Sequence, residues 1–204
     1  MLASPAARTG VLLSAATSLV APSASAQVHW DVGAQVGVMQ RVRTGSGASV
    51  PGPIPGPVGE LHAHVAVVPM LRIGPYVAHD ISPVAPSAAV PARQITEGGL
   101  RAKVTPPFLG GRWRSWALLG LGYAHAYQPG YSAGGTPVSG LEGGILSLPL
   151  GVGVGYRVRG PHDPWEITGE LGCRLGLAFV GPMYSGAPGD SFALSVSLGV
   201  SLDE

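Results

Sequence analysis

Residues 60 to 68 read ELHAHVAVV, with Glu60, His62 and His64 at every second position. A carboxylate and two imidazoles are groups that bind zinc or move protons. On a β-strand alternate residues share a face, so the three would project together. A metal site needs a further ligand and partners that orient the imidazoles. A turn of about three residues into LRIGPYVAHD would set His64 against Tyr76 and Glu60 near Asp80. That assembles a hydrogen-bonded polar cluster, and the reading adopted is polar packing with no metal and no cofactor. The other reactive side chains are His79 beside Asp80, His125 before Ala126 and Tyr127, and the single cysteine, Cys173. Cys173 stands among apolar alternate positions and reads as a small apolar filler.

The elements that carry these residues follow from composition and period. Of 204 residues only 11% are charged, 46% are hydrophobic, and 32 are Gly and 20 Pro. Charge is scarce for a water-facing globule and apolar content too high for a disordered chain. Twelve basic residues against 11 acidic ones provide no basic patch for nucleic acid. MLASPAARTGVLLSAATSLVAPSASA has one Arg, a short apolar run and a small-residue end. It reads as a signal peptide over residues 1 to 26, leaving 27 to 204 as one domain. No phosphate-binding GxxxxGK[ST] occurs.

Beyond Gln27 the apolar period is two almost throughout, which predicts an all-β chain. Eight stretches alternate: from Val28 to Met39, the segment above, LRIGPYVAHD, about 95 to 105, Trp113 to Tyr127, LSLPLGVGVGYR, WEITGELGCRLGLAF, and SFALSVSLGVSL ending at Leu202. Long Gly/Pro/Ser-rich connections such as TGSGASVPGPIPGPVG follow the odd-numbered strands, and short ones near Pro69-Met70, PPFLGG and GPHDP follow the even ones. This order predicts an eight-stranded antiparallel up-and-down barrel with both termini on the short-turn side.

One face of each strand is Val, Leu, Ile and Ala; the other mixes small residues with charge. Aromatics bracket the apolar face, with Trp30, Trp113, Tyr156 and Trp165 at the short-turn end and Tyr123, Tyr127, Phe179 and Phe192 at the long-loop end. Two girdles around an apolar band suit a membrane, since indole and phenol rings have one dry and one wet side. The polar face then points into the lumen. There Glu60, His62, His64, Arg72, Tyr76, Asp80, Glu97, Arg101, Arg157, Glu166, Glu170 and Arg174 form the expected polar cluster, with Arg157 and Arg174 facing Glu166 and Glu170. An eight-stranded lumen is just wide enough for side chains to fill.

The signal peptide, strand number, connection order and girdles together resemble the small OmpA/OmpX-type outer-membrane β-barrels of Gram-negative bacteria. Stretches such as LPLGVGVGYRVRG and PWEITGELGCRLGLAF carry that style. The resemblance implies an outer-membrane location with periplasmic termini and a monomer. Its implied partners are outer-membrane lipids including lipopolysaccharide, and the barrel-assembly machinery during insertion. It also implies a structural or loop-mediated role without catalysis. A narrow, porin-like channel is the alternative. Some such barrels are lipid A-modifying hydrolases with a His, a Ser and a carboxylate facing the membrane. Here neither His79 nor His125 has a Ser two residues on. The family usually ends in an aromatic, whereas this chain ends Leu202-Asp203-Glu204.

Overall fold

The computed structural model describes residues 29–42, 54–83, 90–107, 111–177 and 192–203. Among them eight long strands are hydrogen-bonded in a ring: β1 (Trp30–Val42), β2 (Gly56–Val68), β3 (Leu71–Ser82), β4 (Arg93–Val104), β5 (Trp113–Gln128), β8 (Leu141–Arg157), β9 (Trp165–Leu177) and β10 (Phe192–Asp203). Two three-residue strands, β6 (Tyr131–Ala133) and β7 (Thr136–Val138), make a small separate hairpin inside the β5–β8 connection. Its turn, Gly134-Gly135, takes positive φ at both positions, which a tight two-residue hairpin turn requires. Sequence period did not reveal this hairpin because three residues are too few to establish an alternation.

Sequential long strands pair antiparallel, and β1 closes on β10 from Asp31↔Asp203 to Val42↔Phe192. Closure leaves no long strand with an unpaired edge, the condition a barrel needs in a medium without water. The sheet is closed, so every strand has one face inside and one out. The outward face of the eight strands is the apolar one predicted. Val36, Leu61, Leu100, Leu119, Leu171 and Leu198 all lie exposed on it. The inward face of β5, the run least constrained by charge, carries Trp116, Leu118, Ala124 and Ala126, all buried.

Inward glycines make room for large side chains across the lumen. A Cβ at Gly153 would collide with the indole of Trp116, and one at Gly33 would come 2.6 Å from His62 Nε2. Two small apolar clusters, Ile95 with Ala124, Ala126 and Ile145, and Met39 with Val58 and Ala193, fill the long-loop half of the interior.

The register corrects the expected β2–β3 pairing. His62, not His64, stands opposite Tyr76; Val58 is opposite Asp80, and Glu60 opposite Ala78. The turn is only Pro69-Met70, and the ladder slips between Ala66 and Val68. A bulge there inserts one residue and resets all pairs beyond it. The strand ends also differ. β1 continues to Val42 and β10 takes in Asp203, so Arg41 and Asp203 join the inward set. Residues 1 to 26 and Phe179 lie outside the described residues.

Candidate functional site

The inward polar side chains form three connected groups along the lumen. At the short-turn end the centre is Asp31 on β1, 1% exposed. Its Oδ1 accepts from His64 Nδ1 on β2 at 2.7 Å, and its Oδ2 accepts from Lys103 Nζ on β4 at 2.7 Å and Arg72 on β3 at 3.1 Å. Since the ionised carboxylate only accepts, His64 carries its proton on Nδ1. Its Nε2 then accepts from Arg101 Nε at 3.5 Å. Lys103 Nζ lies 4.4 Å from the ring centre of Trp116, a cation–π contact.

Asp203 completes this end. It pairs with Arg72 at 2.6 Å, with Arg157 at 2.8 Å and with Arg114. Glu166 stands 3.7 Å from Arg114. Arg157 is opposite Glu166 in the ladder, yet its guanidinium bonds Asp203 and the Pro161 carbonyl.

In the middle of the lumen Glu60 is the hub. Arg101 reaches its Oε1 at 2.6 Å and Arg174 its Oε2 at 3.0 Å. Arg174 also lies 3.4 Å from Glu97 and 3.8 Å from the sulfur of Met39. Tyr76 donates its hydroxyl to Glu97. Glu170 accepts from Gln35 at 3.1 Å and lies 3.7 Å from Arg101. Gln35 in turn accepts from Ser197 at 2.6 Å. The expected pairing of Arg174 with its strand neighbours Glu166 and Glu170 is therefore wrong. A long inward guanidinium finds carboxylates across the lumen, on strands three places away in either direction around the ring. At the long-loop end Arg41 grips Asp80 at 2.5 Å, and Ser82 donates to the same carboxylate at 3.1 Å.

The opening trio is divided by this arrangement. Glu60 belongs to the arginines, and His62 Nδ1 comes no nearer to it than 3.7 Å. The two imidazoles instead lie close together, with ring centres 5.0 Å apart. Asp31, His62 and His64 offer ligand atoms within 4.8 Å of one another. Both oxygens of Asp31 are already committed, and Arg72, Lys103 and Arg101 stand around the cluster. A dication there would face three positive charges, an arrangement suited to holding an anion's charge and not a metal's.

The strand period already turns Asp31 and Lys103 inward on the polar face, although the expected cluster does not include them, and Arg114, Arg41 and Asp203 were passed over. For Asp203 the signal was present, because it continues the inward series of Ser197, Gly199 and Ser201. For Asp31 no local signal marks it as the hub, since its partners come from β2, β3 and β4.

Outside, Trp113 and Trp165 are about half exposed at the short-turn end, and Trp113 packs on Tyr156 with ring centres 4.9 Å apart. Trp30 opens β1 at the same end, and Phe192 opens β10 at the other. Tyr123 and Tyr127 are exposed near the long connections. Beside them His125 Nε2 is 3.1 Å from Glu142, and His79 Nδ1 is 2.9 Å from the Thr96 hydroxyl. Cys173 faces outward and is half-buried. In the β8–β9 turn, Asp163 accepts from the backbone N–H groups of Trp165 at 3.1 Å and Arg159 at 2.8 Å. These bonds, the Trp165 one foremost, hold its carboxyl below the usual value.

No family model matches the sequence, and no curated protein matches it. Solved structures do. A major outer membrane protein from Thermus thermophilus superposes with a TM-score of 0.60 at 15% identity, over 87% of this chain and 100% of that one. Neisserial surface protein A gives 0.57 at 15% identity, over 86% and 96%. The Yersinia pestis attachment invasion locus protein Ail gives 0.50 at 14%, over 85% and 98%. A closed eight-stranded antiparallel barrel with an apolar outer wall, superposing along nearly the whole length of such proteins, has the fold of the small OmpA/OmpX-type outer-membrane barrels.

Proposed function

We propose that this protein is an integral outer-membrane barrel whose lumen is closed, and that it acts as a structural element and through its long connections, without catalysis. The observation that carries the reading is the set of ion pairs crossing the lumen. Arg174 on β9 bridges to Glu60 on β2 and Glu97 on β4, and Lys103 on β4 bridges to Asp31 on β1. Side chains spanning the bore in this way leave little between them. The space beside Glu60, Arg101 and Arg174 is about 10 Å³, room for one water at most. A hydrated ion does not pass such a plug without breaking it.

The apolar outer wall supports the membrane location. Val36 is 72% and Leu198 66% exposed, and a continuous wall of such residues would be an aggregation surface in water. On the outside, the Thr96 hydroxyl is bonded to His79 and not to the His125–Glu142 pair. Thr96 stands opposite both His79 and His125 in the ladder, but its hydroxyl is engaged by the former.

The test is planar-bilayer conductance of the refolded protein. Steady current at baseline is expected. Stable ohmic steps from the unmodified protein would overturn the closed-lumen reading in favour of a narrow channel.

A further inference from the structure

The outer wall is not evenly filled. At its short-turn half an apolar groove of about 580 Å³ is lined by Pro106 of the β4–β5 turn, Ser115 and Ala117 on β5, Val154 on β8, Gly169 on β9 and Leu198 on β10. Ser115, Val154, Gly169 and Leu198 stand side by side in one row across four strands. Small residues at two of these places make the depression. A Cβ on Gly169 would meet only Leu198 Cδ2, at 3.6 Å, so the space in front of it is open.

The next row towards the turns is Trp113, Tyr156 and Ile167, so the tilted aromatic pair borders the groove on that side. Above that pair the two turns serving these strands carry Arg112 and Arg159, both exposed. Arg112 donates to the Tyr156 hydroxyl at 3.1 Å and the Val158 carbonyl at 3.5 Å, which holds the guanidinium at the edge of the aromatic pair. Among the described turn residues Asp163 is the acid here; both its oxygens are engaged by backbone N–H groups, and it offsets part of the Arg159 charge, leaving the pair of guanidiniums net positive. The remaining short turn, Pro69-Met70, carries no charge.

Apolar groove, amphipathic rings and guanidinium groups thus follow one another in the order of a phospholipid's acyl chain, glycerol ester and phosphate. We propose that this face binds one anionic phospholipid of the leaflet on the short-turn side, its chain in the groove and its phosphate against Arg112 and Arg159. The proposal rests on the membrane-spanning reading above. A second copy of the chain fits the face less well. A two-fold contact presents the same patch from both sides, which would bring the two cationic turns of each copy towards those of the other.

Native mass spectrometry of the folded, detergent-solubilised protein tests it. Phosphatidylglycerol and phosphatidylcholine with identical chains are offered together, and gel mobility without boiling reports the folded barrel in each sample. One phosphatidylglycerol should be retained in preference, by about fivefold per guanidinium. Arg112→Gln with Arg159→Gln should bring the two lipids close to parity. Gly169→Leu, or Gly169→Val should the larger residue prevent folding, should lower retention of both. Gly59→Leu is the control, at an outward glycine on the far wall where a Cβ meets nothing within 4 Å, and should leave retention unchanged. Equal retention of the two lipids, indifference to the arginine and Gly169 variants, or a doubled chain mass in place of bound lipid overturns the proposal. An unmodified protein without heat-shifted mobility overturns the membrane reading itself.

Discussion

Asp31 concentrates the electrostatics of the interior on one carboxylate, with a histidine, a lysine and an arginine bonded to its two oxygens. Asp31→Asn keeps the shape and removes the charge, leaving Lys103 and Arg72 buried against a neutral amide. Breaking a buried ion pair from one side costs about 3–5 kcal/mol. The variant should unfold at correspondingly lower urea in lipid vesicles; an unchanged midpoint would show that the lumen is wetter than its packing implies. Asp163, by contrast, is exposed and works on backbone. Its lowered pKa means that its contribution is complete above the ordinary carboxylate value of 3.8 and fades as pH falls through the lower folded value. In an NMR titration the Trp165 and Arg159 amide shifts should move together with a midpoint below 3.8. A midpoint at the free-carboxylate value would remove the turn bonds from the account.

At the scale of the strand, the two faces answer to different solvents. Leu171 on β9 points outward, and 55% of its surface is uncovered. Leu171→Arg puts a guanidinium against lipid and should cost about 2–4 kcal/mol if the site lies near the bilayer midplane, with folding yield in vesicles falling accordingly. Thr168 on the same strand points inward and is buried. Thr168→Val exchanges a buried hydroxyl for a methyl of similar size and should be much milder, so equal losses from the two variants would mean that the faces are misassigned. Period two was sufficient to read these faces because a slip of one residue inverts every side chain of a strand. It could not reveal the β2–β3 bulge, since an inserted residue preserves alternation on both sides of itself. Only the ladder shows that His62 meets Tyr76.

For the whole molecule the crossing ion pairs are the quantity that matters. Arg174 joins β9 to both β2 and β4, so Arg174→Ala removes a strut that ties opposite walls together. The variant should be less resistant to heat in detergent gels and should show intermittent current in planar bilayers, where baseline current is expected of the unmodified protein. A variant as silent and as stable as the parent would reduce the strut to one packing contact among many.

The amino-acid sequence alone determined the number of long strands, their facing, the alternation of long and short connections and the aromatic girdles. All of these are local in the chain, imposed by the two-residue period and by the turn residues that interrupt it. Only the tertiary structure decided which charges meet. Asp31 with Lys103, Arg72 with Asp203 and Arg174 with Glu60 are far apart in sequence and lie on strands separated around the ring. Their partnership depends on the barrel's closure and register. Register and closure also split Glu60 from His64: Glu60 meets Arg101 and Arg174 from other parts of the ring, whereas His64 bonds Asp31, its ladder partner on the adjacent strand β1.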